Sequence, residues 1–200
     1  MNLLKMPMKI IKGKTLFFTG FFLLFLVGCG SFQPITNTVF IEKNGAIREY
    51  LVEDFSVDLY DIDEWKKEAE EEIADYNRRK SSNGIYMENV LFENSVLEAS
   101  VNYADDSDYK DFNGVLFFEG TITEAMAEGL TVPKSLNGTD GSTIITAELD
   151  KDSTRIVVYD IASDVVVPGN VKGISDNLTT DDVKGHVITV NDDGLSYIIY

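Results

Sequence analysis

Cysteine is almost absent from this chain: Cys29 is the only one in 200 residues. An internal disulfide, a Cys-based metal centre and a dithiol redox site are therefore excluded by count. Histidine is as scarce, with His186 alone, so a His-rich transition-metal site is excluded too. Positive charge is the third shortage. Seventeen Lys+Arg face 34 Asp+Glu, a net charge of −17. Phosphate backbones repel such a surface, so nucleic acid is not an expected partner. What is present is ordinary: 44% hydrophobic and 26% charged residues, a globular composition and neither a collagen-like repeat nor a disordered tail.

The few cations are unevenly placed. Residues 1–28 hold Lys5, Lys9, Lys12 and Lys14 and no acid, and the apolar stretch Thr15 to Val27 follows. A basic flank before a short apolar core is the layout of an export signal. Thirteen helical residues span about 20 Å, short of the ~30 Å hydrocarbon core, which disfavours a permanent span. The stretch ends in Leu26, Val27, Gly28 and Cys29. This resembles the lipobox of bacterial lipoproteins. The resemblance implies a diacylglycerol on the Cys29 sulfur, palmitate among its acyl chains, and cleavage before Cys29. The competing reading is a cysteine in an uncleaved anchor. Two acyl chains hold a protein at a membrane stably, whereas one does so only marginally. Cleavage removes four lysines and no acid, taking the net charge from −17 to −21.

The division expected is a signal peptide over 1–28, a lipidated tether over 29–37, and one extracytoplasmic domain over 38–200. The eight residues 30–37 reach at most ~28 Å. The domain reads as α+β: an N-terminal β-hairpin, one long amphipathic helix, a second hairpin, short helices and a β-rich C-terminal part. Asn44-Gly45 between 38–43 and 46–52 predicts the first hairpin with a type I′ turn. Ile62, Trp65, Ala69, Ile73 and Tyr76 form one apolar stripe, predicting a helix over 61–80 opened by Asp61 and Glu64 as a capping box. The stretches 85–93 and 96–103 flank Asn94-Ser95 and predict the second hairpin. Helical spacing of Tyr109, Phe112 and Leu116 predicts a helix over 106–118, interrupted by Gly114. Thr121 and Glu124 form a capping box for a short helix over 122–128, with Gly129 beyond its end. Residues 136–142 read as a loop. Strands are expected over 143–149, 155–159, 164–167, 186–190 and 195–200, with Asp193-Gly194 turning a hairpin between the last two.

The Asn-Gly hairpin, the acidic helix ending Tyr76-Asn77, the segments Asp108–Asn113 and Phe118–Ala125 and the terminal Tyr197–Tyr200 resemble uncharacterised lipoproteins of gut Clostridia, Lachnospiraceae-type bacteria among them. The resemblance implies a Gram-positive cell surface, and it brings no catalytic residue.

Chemistry-bearing motifs are few. There is no Gly-x-Ser-x-Gly to pair with His186, no Walker Lys-Ser/Thr after the 138–142 turn, and no Gly-x-Gly-x-x-Gly. Acids cluster at Asp58/Asp61/Asp63/Glu64, at Asp105/Asp106/Asp108/Asp111, at Asp181/Asp182 and at Asp192/Asp193. An EF-hand register fails at Lys110 in the second cluster and at Trp65 in the first. Asp105, Asp106, Asp108 and Asp111 remain candidate Ca²⁺ ligands, against the simpler reading of acids at a helix start. The aromatics Trp65, Tyr76, Tyr103, Tyr109 and Phe112 fall on apolar faces and read as core. No cofactor is implied. The function expected is a membrane-anchored surface lipoprotein that binds a cell-wall component or an envelope protein without catalysis. The alternative is an Asp/Glu-dependent hydrolase of cell-wall glycan or peptide.

Overall fold

The computed structural model describes residues 32–55, 61–191 and 194–200. The segment read as an export signal, Cys29, Asp58, Asp192 and Asp193 lie outside them. Among the described residues no helix is long and apolar enough to cross a membrane.

The fold is α+β, with strands dominating its C-terminal half. Strands β1 (Thr38–Ile41) and β2 (Ile47–Asp54) form the first hairpin. Its turn is not type I′, because only Gly45 has positive φ. The chain closes instead through Gly45 N–H to Glu42 O, 3.0 Å, and Glu42 N–H to Ala46 O, 2.8 Å. Helix α1 (Ile62–Lys80) starts at Asp61, whose carboxylate accepts from the N–H groups of Asp63 and Glu64. Its stripe is buried at Trp65, Ala69, Ile73 and Tyr76, as the spacing requires. At its end Asn77 donates to Ile85 O and accepts from Ile85 N–H, so one amide aligns the next strand. Strands β3 (Ile85–Glu93) and β4 (Val96–Tyr103) form the second hairpin. Here both turn residues, Asn94 and Ser95, have positive φ, the geometry expected of the first hairpin.

Helix α2 covers only Asp106–Asn113 and ends at the left-handed Gly114. Phe117 and Phe118 therefore belong to a strand, β5 (Phe117–Thr121), and not to the helix that the spacing of Tyr109, Phe112 and Leu116 suggested. Helix α3 (Ile122–Ala127) has the complete Thr121–Glu124 capping box. The stretch read as a loop contains β6 (Ser135–Gly138), which turns back into β7 (Thr143–Ile145). A 3₁₀ turn, Thr146–Glu148, replaces the rest of the strand expected there. Then follow β8 (Arg155–Tyr159), β9 (Asp164–Val166), β10 (Gly173–Ile174), β11 (Leu178–Thr180), β12 (His186–Thr189) and β13 (Ser196–Ile199). The short β10 and β11 carry too little periodicity to be read from sequence.

Two sheets result, in the orders β11-β12-β9-β1-β2-β4-β3 and β5-β8-β13-β10-β6-β7. Strands β12 and β13 lie in different sheets, so no hairpin joins them at Gly194. β12 pairs instead with β9 and β11, and β13 with β8 and β10. The main core lies between the sheets. It gathers Val39, Ile47, Leu51 and Val101 from the larger sheet, the α1 stripe, Tyr109 and Phe112 of α2, and Phe117, Val157, Tyr159 and Ile198 from the smaller sheet. The smaller sheet is buried on its other face too. Phe118, Ile156, Val158 and Ile199, alternating with those residues, pack with Ile122 and Ala125 of α3 in a second cluster.

Before β1 the chain is already seated on the domain. The Phe32 ring packs 4.5 Å from the His186 ring, and Thr36 Oγ1 donates to Asp164. Phe32 and Thr36, both in the segment expected to serve as a tether, are therefore packed against the domain.

Candidate functional site

Registry places one carboxylate where only apolar groups are otherwise found. Val187, Val165, Val39, Glu49, Val101 and Met87 stand side by side across six strands, on the core face of the larger sheet. Glu49 is 6% exposed. Tyr103 Oη donates to its Oε2 at 2.7 Å and Tyr109 Oη to its Oε1 at 3.4 Å. Asn113 Nδ2 donates in turn to Tyr103 Oη, 3.1 Å, while Asn113 Oδ1 is buried with no hydrogen-bond partner among the described residues. No ion pair reaches Glu49 among the described residues. Burial pushes its pKa up to about 6, with hydrogen bonding by Tyr103, Tyr109 and Asn113 opposing. Burial and the facing Glu49 charge push the Tyr103 and Tyr109 hydroxyls well above their ordinary range. Sequence reasoning missed this site. The signal was there in Ile47 and Leu51, two residues to either side, which share the Glu49 face.

The acidic segment 105–111 builds the α2 wall of that site and disperses its own carboxylates. Asp105 caps α2 by accepting from Asp108 N–H at 2.8 Å. Asp106 accepts from Glu119 N–H at 3.1 Å, and burial raises its pKa. Asp108 accepts from Tyr76 Oη at 3.0 Å. Its other oxygen lies against Gly84, where an added Cβ would come within 2.1 Å of it. Asp111 pairs with Lys80 Nζ at 2.7 Å. Four acids thus face four different partners. Among the described residues no group of three or more His, Cys, Asp or Glu is arranged to hold a metal ion. Diffuse cation binding still follows from the net charge. A melting curve in about 2 mM Ca²⁺ is expected to show a small stabilisation that Mg²⁺ reproduces and about 150 mM NaCl largely removes. A large shift specific to Ca²⁺, surviving NaCl and lost in Asp106→Asn or Asp108→Asn, would make this segment a true site.

His186 is 5% exposed, and both of its ring nitrogens face carboxylates. Nδ1 lies 2.8 Å from Asp181 Oδ2 and Nε2 lies 3.3 Å from Asp164 Oδ2. Neither nitrogen is left to activate a hydroxyl, so this histidine ties the end of β12 to β9 and to the seated Phe32. A third polar cluster joins strand ends of the smaller sheet. Arg155 pairs with Glu119 through Nε and Nη2, and Tyr200 Oη donates to the same carboxylate. Gly169 admits the Tyr200 ring, since an added Cβ would lie 2.8 Å from its edge. This cluster lines a recess of about 520 Å³ with Lys43 and Asn44, and within it Arg155 and Glu119 neutralise each other.

A more apolar concavity lies elsewhere. Beside α3, a groove of about 570 Å³ runs between Ile122, Met126, Leu130 and Val132 on one side and Ile145 and Ala147 on the other. Lys134 and Lys151 line it, and no acid does. It forms where α3 and the 3₁₀ turn cover the second hydrophobic cluster incompletely, leaving Met126 52% and Ile145 42% exposed. No family model, curated protein or solved structure matches this chain.

Proposed function

We propose that the chain is a lipid-anchored surface domain of a Gram-positive bacterium that binds a ligand or an envelope component and performs no chemistry of its own. The observation that carries the anchor is the run Leu26–Cys29 behind a basic and then apolar start. The resemblance to uncharacterised lipoproteins of Clostridia points the same way. The seating of Phe32 supports a close approach to the bilayer. Three residue steps from Cys29 to Phe32 span about 10 Å, so the His186 side of the larger sheet would stand just above the head groups.

Support for binding rather than hydrolysis comes from how the acids are used. A glycosidase needs two carboxylates at an open cleft, one of them with a raised pKa. Glu49, Asp106 and Glu72 have raised pKa values. Glu49 is enclosed by Tyr103, Tyr109 and Asn113, Asp106 accepts from Glu119 N–H, and Asp105, Asp108 and Asp111 are each engaged by a neighbour. Radiolabelled palmitate fed to expressing cells is expected to enter the wild-type protein and not Cys29→Ala. Equal labelling of the two would remove the anchor from this reading. Release of soluble fragments from purified cell wall by the wild-type protein would replace binding with hydrolysis.

A further inference from the structure

The groove beside α3 is used neither by the anchor nor by the buried carboxylate. Its wall is aliphatic over Ile122, Leu130, Val132 and Ile145, and its volume of about 570 Å³ lies in the range of small-molecule sites. Its only charges are two ammonium groups, in a chain whose net charge is −17. Among the described residues, neither Lys134 nor Lys151 takes part in an ion pair. The acids on either side of Lys151 each accept a hydrogen bond from a hydroxyl. Asp150 accepts from Ser153 Oγ at 2.8 Å, and Asp152 accepts from Thr123 Oγ1 at 2.6 Å.

An occupant that satisfies this lining is apolar along its length and anionic at one end. A peptide meets the second demand but not the first, because it carries an N–H and a C=O at almost every residue that need partners. The wall's own polar groups are turned inward: Thr146 Oγ1 donates to Pro133 O at 2.6 Å, Thr146 N–H to Lys134 O and Leu130 N–H to Ala125 O. An acyl chain needs no hydrogen bonds along its length, only removal from water. We infer that the α3 groove holds the acyl chain of a single-chain anionic amphiphile, with Lys134 and Lys151 on its carboxylate or phosphate head. This names the ligand class of the binding domain proposed above and rests on that reading, but it does not require the anchor.

The test uses the full chain in phosphatidylcholine vesicles with a photoactivatable diazirine fatty acid, the crosslinks being mapped by mass spectrometry. Crosslinks are expected to concentrate within residues 122–151 and to be displaced by unlabelled laurate or lysophosphatidate. Stronger displacement by laurate identifies a free fatty acid as the source, and stronger displacement by lysophosphatidate a lipid phosphate; either upholds the site. Dodecanol, which has the chain without the charge, is expected to displace about tenfold less well, the value of two exposed ion pairs. Lys134→Glu with Lys151→Glu lowers labelling by a similar factor. Lys66→Glu with Lys67→Glu, the same charge change on α1, leaves it unchanged. Ile145→Asp, at a position exposed enough not to endanger folding, also lowers it. Labelling spread evenly over the domain overturns the inference, as does equal displacement by dodecanol or indifference to the groove lysines. So does displacement by an acidic apolar peptide when laurate has no effect. Cys29→Ala is expected to leave the crosslinks intact, which separates failure of the groove from failure of the anchor.

Discussion

Replacing Trp65 with alanine is expected to lower the stability of the fold by about 3–5 kcal/mol, the cost of removing a large aromatic from a packed interior. Trp65 lies in the first turns of α1, is 3% exposed, and belongs to the main core with Ala69, Ile73 and Tyr76. The helix covers part of the core face of the larger sheet, so the cavity opens where α1 meets its sheet and cannot close without moving the whole helix. Ile73→Asp attacks the same stripe differently, by placing a carboxylate without a partner in the core. Lys67→Ala, on the exposed face, is the control and is expected to change stability by no more than about 0.5 kcal/mol. Urea unfolding at neutral pH measures all three. If Trp65→Ala and Ile73→Asp unfold with the wild type, α1 is not part of the cooperative core.

Glu49→Gln is expected to act in the opposite direction. At pH 7 the wild-type protein holds an ionised carboxylate in the aliphatic row between Val39 and Val101, without a cation beside it. Its pKa is about 6 in the folded chain, against 4.5 as the ordinary value. The folded state therefore binds the proton more tightly than the unfolded state. The stabilisation linked to that proton is complete below about pH 4.5 and is lost as pH rises through about 6. A difference of this size corresponds to roughly 2 kcal/mol, so Glu49→Gln is expected to be more stable than wild type by about that much at pH 7. The advantage should vanish below pH 4.5. Glutamine keeps an acceptor for Tyr103 Oη, and its amide faces Tyr109 Oη, which is free to accept. Other carboxylates are shifted too: Asp106 and Glu72 are raised, while Glu124, Asp140, Asp150 and Asp181 are lowered. Both proteins carry them, so they cancel in the difference between two urea series measured from pH 4 to 8. Parallel curves with Glu49→Gln the less stable throughout would mean that the tyrosine hydrogen bonds outweigh burial.

The features legible in the sequence are those decided within a few residues. The Asp61 cap, the α1 stripe, the Thr121–Glu124 box and the second hairpin each rest on groups three or four positions apart or on one turn. Each holds in the structure for that local reason. The first hairpin shows the limit. Its position is right, yet its turn closes with one positive φ instead of two, because five residues and not two separate the paired strands. Leu116 continues the helical spacing of Tyr109 and Phe112, yet the left-handed Gly114 ends the helix before it. The aromatics read as core, Trp65, Tyr76, Tyr103, Tyr109 and Phe112, are all buried.

The sequence by itself determined the charge, the single cysteine behind its apolar segment, the α+β class and the elements with strong local signals. Tertiary structure alone decided which strands share a sheet. Strands β1 and β9 pair in parallel although more than a hundred positions separate them, while β12 and β13, close in sequence, part into different sheets. Strand pairing depends on ladders between distant segments, and a residue's own neighbours carry no record of its partner. The same holds for Glu49, whose position in an aliphatic row is set by five other strands, and for the groove lysines, which meet only because α3 and the β6–β7 hairpin fold over one hydrophobic cluster. A side chain's chemistry is written locally, but its burial, its partners and hence its pKa are properties of what the fold brings beside it.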